Sequence, residues 1–198
     1  MPATTTEQQA RTRSGSSTRQ RILAAANELF YAHGIRATSA DRIIESAGIT
    51  KVTFYRHFHT KSDLVVAYLE GQATAERDWM THSRQSGDPV GSLRALATGI
   101  GAASCRPGFR GCAFINAAAE FSDPQDPVRT AVEAHRDWML NEFAAIAADA
   151  AVHDVASVAR QLMILRDGAM VSGYLNDPTV LADSLGAAFA SIVATANG

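Results

Sequence analysis

The residues of this chain best equipped for polar recognition sit together in TKVTFYRHF, residues 50–58. Lys51, Thr53, Tyr55, Arg56 and His57 offer ammonium, hydroxyl, guanidinium and imidazole groups, and Val52 adds a branched methyl pair. On a helix turning about 100° per residue, Phe54 and Phe58 share one face and point inward. Val52 and Arg56 point the opposite way, with Thr53 on one flank, Tyr55 on the other and Lys51 in the first turn. That outward surface suits the base edges of a DNA major groove. Arg and Lys match guanine O6 and N7, Val matches a thymine methyl, and Thr matches either. Tyr55, His57 and Lys61 lie at the margin, where their donors would take phosphates. Lys61 also stands in the first turn of the next helix, whose free N–H groups attract an anion. A short polar helix with two core phenylalanines is equally what a solvated surface looks like. The capped turn ahead of it and the local positive charge favour the recognition reading.

Helices must position these residues, because helix signals recur along the chain and strand signals do not. Ser17 with Gln20, Thr38 with Asp41 and Thr60 with Asp63 have capping-box spacing. Asp88-Pro89, Asp126-Pro127 and Asp177-Pro178 each put Asp at an N-cap and Pro at the first helical position, where a missing N–H is harmless. Gly34 and Gly48 stand where a left-handed residue would close a helix. The pattern predicts an all-α chain of about nine helices, over 17–33, 38–47, 50–57, 60–85, 88–104, 109–121, 126–151, 153–176 and 177–196. Ile22, Ala25, Ala26, Leu29 and Phe30 give the first of them an apolar face, and Ile43, Ile44 and Ala47 do so for the second. Gly48-Ile49-Thr50 then makes a three-residue turn into the third, which is a helix-turn-helix. The expected organisation is a polar, flexible arm over 1–16, a helix-turn-helix domain over 17–60 and a helical domain over 61–198.

Charge is divided along the chain. Residues 1–69 hold nine Arg and Lys against five Asp and Glu, whereas residues 70–198 hold nine against fifteen. A basic third joined to an acidic remainder points to a polyanion partner at one end. TSADRIIESAGITKVTFYRHFHTKSDL, residues 38–64, resembles the DNA-binding signature of the TetR family of transcriptional regulators. The resemblance rests on Thr38, Ile43-Ile44, Ala47-Gly48, Thr50, Phe54-Tyr55, Phe58, and Lys61 ahead of Leu64, and it covers roughly residues 17–70. Ile44 departs from the more frequent Ala. Arg56 stands at a position that varies in the family, so no operator sequence carries over. The resemblance implies that Ser39, Lys51, Val52, Thr53, Tyr55, Arg56, His57 and Lys61 line a double-stranded DNA interface. It also implies a homodimer on a palindromic operator, and a repressor released by a small ligand held in the remaining helices. Arg11 and Arg13 in the first 16 residues would add phosphate or minor-groove contacts if that arm has a role.

In the acidic part, 153–176 is apolar around most of its circumference, which requires cover on two sides, and 177–196 repeats apolar residues. Pairs of these helices from two copies would form a four-helix interface through Leu162, Leu165, Ala169, Leu185, Phe189 and Ile192. Leu96, Ile100, Phe114, Phe121, Trp138, Met139, Met163, Met170 and Tyr174 could wall a pocket for an apolar or aromatic effector, with Asn116, His135 or Tyr174 as polar contacts. The same residues also suit an ordinary core. In SCRPGFRGCAFINAAAEF, residues 104–121, Cys112 falls near a helix start close to Arg106 and Arg110. Both features raise thiolate content, so a switch by oxidation or alkylation is an alternative to a ligand. A constitutive DNA-binding protein without an effector is another.

Cys105 and Cys112 lack zinc-ligand spacing, and His57 and His59 have no companion, so neither metal nor cofactor is expected. G-x-S-x-G, P-loop, G-x-G-x-x-G and H-E-x-x-H motifs are absent, which argues against an enzyme. The amino terminus shows no apolar signal core. The carboxyl end falls short of the roughly 18 apolar residues of a membrane span, so the expected setting is cytoplasmic.

Overall fold

In a computed structural model the described residues are 5–196, with side chains from Ser17 onward. They form nine α-helices and one 3-10 turn, with no strand among them. The helices are α1 (Thr5–His33), α2 (Ala40–Ser46), α3 (Lys51–His57), α4 (Lys61–Ser83), α5 (Pro89–Ser104), α6 (Ala113–Glu120), α7 (Pro127–Asp149), α8 (Val155–Leu175) and α9 (Leu181–Thr195). The chain divides into two compact units, Met1–Glu70 and Gly71–Gly198. The boundary lies inside α4 rather than ahead of it. Leu64, Val65 and Leu69 in the first turns of α4 are buried, and Tyr68 meets Phe30 edge-on at 5.5 Å.

Most helix starts follow the expected chemistry. Thr60 N–H donates to Asp63 Oδ2 at 2.9 Å, and Asp63 N–H donates back to Thr60 Oγ1 at 3.0 Å, a reciprocal box at the head of α4. Asp88 accepts from Gly91 N–H at 2.7 Å and Asp126 from Val128 N–H at 2.8 Å, each followed by proline. Gly34 (φ 90°) and Gly48 (φ 61°) take the left-handed conformation that ends a helix. Thr60→Ala is expected to lower stability by about 1 kcal/mol, read as a shift of the urea midpoint without a change of slope.

Four expectations need correction. α1 begins at Thr5, so Ser17 lies within a helix and the expected arm is helical from Thr5 onward; Arg11 and Arg13 lie outside the residues whose side chains are described. The cap of α2 is Ser39, whose Oγ accepts from Arg42 N–H at 3.2 Å. Thr38 is buried instead, and its hydroxyl donates to Gly34 O at 2.8 Å, tying down the α1–α2 loop. α6 starts at Ala113 rather than 109, because Gly108 and Gly111 adopt φ of 80° and 77° and hold the chain out of helix. Finally, Asp177 caps the 3-10 turn Pro178–Val180, and α9 begins only at Leu181.

Within the first unit, Ile22, Ala25, Ala26 and Phe30 of α1 share a core with Ile43, Phe54 and Phe58. Within the second, α5, α7, α8 and α9 enclose one cluster that includes Leu96, Ile100, Met139, Phe143, Leu162, Met163, Leu185 and Phe189. The carboxyl end corrects another expectation: Pro178–Thr195 is 18 residues long with mean hydropathy 1.3, enough by length and composition to cross a membrane. Its Leu181, Leu185, Phe189 and Val193 are buried in the helical cluster.

Candidate functional site

The turn ahead of α3 is held by side chains on both sides. Thr50 caps the helix, its Oγ1 accepting from Thr53 N–H at 3.2 Å, and its hydroxyl also meets that of Thr53 at 2.9 Å. Arg21 of α1 donates to the carbonyls of Ala47 and Gly48 at 2.5 and 3.1 Å. Those carbonyls end α2, so the guanidinium fixes where α3 begins. Phe54 and Phe58 are buried, 6.3 Å apart, and Arg19 covers the Phe58 ring at 5.1 Å. With that face anchored, α3 turns Val52 outward with 79% exposure and Tyr55 with 41%. A single exposed valine is ordinary on a protein surface; here it stands beside Tyr55 and Arg56 with its methyls accessible to a partner.

The remaining candidates divide by what already holds them. Arg56 and Ser39 are exposed, Ser39 while capping α2. Lys51 is exposed and forms a 3.4 Å pair with Asp41, a contact that water screens and a phosphate or base could replace. Thr53 is half-buried. His57 is half-buried as well, and its Nε2 is turned inward without a partner. Lys61 behaves differently from the reading of its position: Nζ donates to Ile35 O at 2.6 Å, so the ammonium braces the loop after α1. Arg21 and Arg42 escaped the sequence reading. Arg42 follows the Ser39 cap and meets His33 Nε2 at 3.0 Å, a pairing that motif spacing does not signal.

In the second unit, most of the expected pocket residues pack into or against the apolar cluster. Leu96, Ile100, Met139 and Met163 belong to the buried cluster, with Trp138 and Met170 packed against it. Asn116 is exposed and donates to Arg110 O at 2.9 Å. Tyr174 is exposed beneath the Arg110 guanidinium, 5.7 Å from its ring centre, and Phe121 is half-buried. Of the candidates, Phe114 alone lines the open cleft of about 610 Å³ among α6, α7 and α8. Ile115 and Ala118 join it from α6, Arg129, Val132, Glu133, Arg136 and Asp137 from α7, and Asp167, Gly168 and Val171 from α8. Of the residues expected to meet a second copy, Leu162, Ala169, Leu185 and Phe189 are buried in the chain's own cluster, while Leu165 and Ile192 are half-buried. The residues that α8 leaves exposed are their neighbours.

Behind the cleft lies a buried polar group that periodicity gave no reason to expect. Phe114 stacks on His135 at 3.6 Å, almost parallel. His135 Nε2 stands 3.0 Å from Glu76 Oε2, and its Nδ1 has no hydrogen-bond partner. Arg166 Nη2 donates to Glu76 Oε1, and its Nη1 to Asp167 Oδ1 at 3.3 Å. Arg136 closes the chain of charges by donating to Asp167 Oδ2 at 2.8 Å. Burial opposes the charge on Glu76, but His135 and the Arg166 guanidinium outweigh it and hold the carboxyl below its ordinary pKa. Burial likewise opposes the charge on Arg166, yet Cys112, Glu76 and Asp167 around it push its pKa up. Cys112 is buried beside that guanidinium, while Cys105 is exposed. The described residues contain no group of three His, Cys, Asp or Glu placed to hold a metal.

Two family models match the chain: bacterial regulatory proteins of the tetR family over residues 22–68, and the tetracyclin repressor-like C-terminal domain over residues 89–188. The crystal structure of SCO4454, a TetR-family transcriptional regulator from Streptomyces coelicolor, superposes with a TM-score of 0.88 at 39% identity, over 92% of this chain and 97% of that one. The transcriptional regulator TtgR of Pseudomonas putida is 35% identical over 82 residues, 40% of this chain and 39% of TtgR. The transcriptional repressor NemR of Escherichia coli is 28% identical over 119 residues, 59% of this chain and 60% of NemR. The chain thus spans less than two thirds of the length of these two curated relatives.

Proposed function

This chain belongs to the tetR family of bacterial regulatory proteins, DNA-binding transcriptional regulators, and from that premise we propose that it is a dimeric repressor released from its operator by a small apolar or aromatic ligand. The observation that carries the DNA-reading part is the orientation of α3: Phe54 and Phe58 inward, Val52, Tyr55 and Arg56 outward. A recognition helix enters the major groove with its amino-terminal residues, which here are Lys51, Val52 and Thr53. Lys51, Val52 and Arg56 read base edges, Thr53 contributes its methyl while its hydroxyl serves the cap, and Ser39, Tyr55 and His57 fix register on phosphates. Lys61 acts chiefly as a brace for the loop that presents Ser39. Two copies on a two-fold axis would read the two halves of a palindromic operator.

The effector would enter the cleft among α6, α7 and α8, whose Phe114, Ile115, Val132 and Val171 give it an apolar floor. Glu76, in the polar group behind that floor, belongs to α4, the helix whose first turns carry Lys61 and the Thr60 cap. A ligand that disturbs Phe114 and His135 therefore acts on an element continuous with the DNA-reading unit. The setting consistent with such a regulator is the cytoplasm.

Selection of bound fragments from random double-stranded DNA, at stated salt, tests the reading directly. An operator with two half-sites is expected, and no retention of any duplex at low salt would refute it. On that operator, Arg56→Ala and Lys51→Ala are expected to lose about 1–3 kcal/mol of discrimination at particular base pairs, whereas Tyr55→Phe weakens binding evenly across sequences. Equal loss on every sequence from all three would remove the groove assignment.

A second reading has one observation in its favour, the place of Cys112 beside the Arg166 guanidinium. In it, alkylation or oxidation of that thiol takes the place of ligand binding. Operator affinity that falls after N-ethylmaleimide treatment, but not in Cys112→Ser, would support it; equal behaviour of the two proteins would eliminate it.

A further inference from the structure

We infer that Arg21 is a positioning residue for base recognition, setting the tilt of α3 through the α2–α3 turn rather than contacting DNA itself; this rests on the DNA-reading part of the proposal above. Lys51–His57 has seven residues, and its one buried side chain, Phe54, stands at its centre. That ring fixes rotation about the helix axis but leaves the axis free to pivot. The helix is about 10 Å long, so a pivot of about 10° at Phe54 carries either end through about 1 Å. A hydrogen bond to a base edge tolerates only about 0.5 Å. Reading by Lys51 at one end and Arg56 at the other therefore requires that both ends be held.

Two arginines of α1 provide these holds. At about 100° per residue, Arg19 and Arg21 flank the apolar face that carries Ile22, Ala25 and Ala26. In the turn, the carbonyls of Ile43, Ile44 and Glu45 accept from the N–H groups of Ala47, Ile49 and Gly48. The carbonyls of Ala47 and Gly48 come next, and Arg21 Nη2 donates to both, at 2.5 and 3.1 Å. This is the negative end of α2, where a cation is favoured. A guanidinium nitrogen of this kind has two hydrogens, so both are engaged inside the protein. Gly48 leaves room for them: its φ is 61°, and a Cβ there would stand 3.4 Å from Nη2. At the other end Arg19 lies over the Phe58 ring, 5.1 Å from its centre, and Phe58 closes α3 by donating its N–H to Phe54 O at 3.0 Å. Lysine is no substitute for Arg21, because its ammonium is a point charge without the planar fork.

The experiment uses the full chain, the operator selected as above and a set of single-base-pair variants of that operator. Lys51→Ala and Arg56→Ala identify the pairs that each end of α3 reads, and fluorescence anisotropy gives affinities across a salt series. Arg21→Met should discriminate about tenfold less at the pairs read by Lys51, keep its discrimination at those read by Arg56, and retain the parent's salt slope. A phosphate contact behaves otherwise: its loss weakens all sequences alike and flattens the slope by about 1, and lysine restores it. Arg21→Lys, which keeps the charge, should therefore show the same selective loss as Arg21→Met. Arg19→Met should move the loss to the pairs read by Arg56. Without DNA, amide hydrogen exchange at Gly48 and Ile49 should quicken about tenfold in Arg21→Met, while circular dichroism shows the helix content retained. An even loss with a flatter slope would overturn the positioning role, as would full discrimination in both Arg21 variants or unchanged exchange in the turn. A parent that retains no duplex would refute the DNA reading instead, and the exchange rates would still decide whether Arg21 holds the turn.

Discussion

Arg166→Met is expected to destabilise the protein by about 3–5 kcal/mol at neutral pH, because it leaves the Glu76 carboxylate buried without its principal cation. Arg166 is 4% exposed and bonds both Glu76 and Asp167. Asp167 keeps Arg136 at 2.8 Å, so the damage concentrates on Glu76. The pH dependence identifies the cause. In the parent, the Glu76 pKa is depressed against the pull of burial by His135 and Arg166. Its contribution to stability is therefore present above the unfolded carboxyl pKa, and it is lost as pH falls through the lower folded value. Without the guanidinium, burial is opposed by His135 alone and the folded pKa rises. The variant then tolerates protonation better than the parent does, so the gap between them narrows as pH falls from 7 towards about 4. Urea unfolding at both pH values measures this gap, and a gap independent of pH would show that the loss is one of packing. The double variant Glu76→Gln with Arg166→Met should recover much of the stability, since a pair removed together leaves no orphan charge.

Phe54→Ala should cost about 3–5 kcal/mol and abolish operator binding without altering an outward residue. The ring is completely buried, edge-on to Tyr55 at 5.2 Å and near Phe58 at 6.3 Å. No other side chain of α3 is buried, so this one ring fixes the rotation of a seven-residue helix that is too short to be stable alone. At about 0.05–0.15 kcal/mol per residue, the loss approaches the whole stability of a unit the size of Met1–Glu70. Val52→Ala provides the contrast: the side chain is 79% exposed, so thermal unfolding should hardly move while base preference changes. If Phe54→Ala kept both its melting transition and its operator, the anchoring role would be disproved.

The caps show how much was legible before any coordinates. Thr60 with Asp63, Asp88 before Pro89 and Asp126 before Pro127 each satisfy backbone groups within three residues, so spacing alone carries them. The inward and outward faces of α3 follow in the same way from 100° per residue. Thr38 shows the limit. It has the type and position of a cap as good as its neighbour Ser39, and burial of the α1–α2 loop decided between the two. Lys61 is similar: a basic residue at a helix start reads as an anion ligand until the fold brings the Ile35 carbonyl within 2.6 Å.

The amino-acid sequence by itself determined the all-α class, the helix-turn-helix and the side of α3 that faces outward. All three depend on interactions within a few residues, and these repeat with the period of the helix. Only tertiary structure decided which apolar residues of α8 and α9 turn inward, since both helices are apolar on more than one face and Leu162 differs from Ile164 solely in what lies opposite. It also brought Glu76 to Arg166 across 90 positions of chain. No local pattern encodes that pairing, because a charge in a helix reads as solvated until the packing of other helices removes its water.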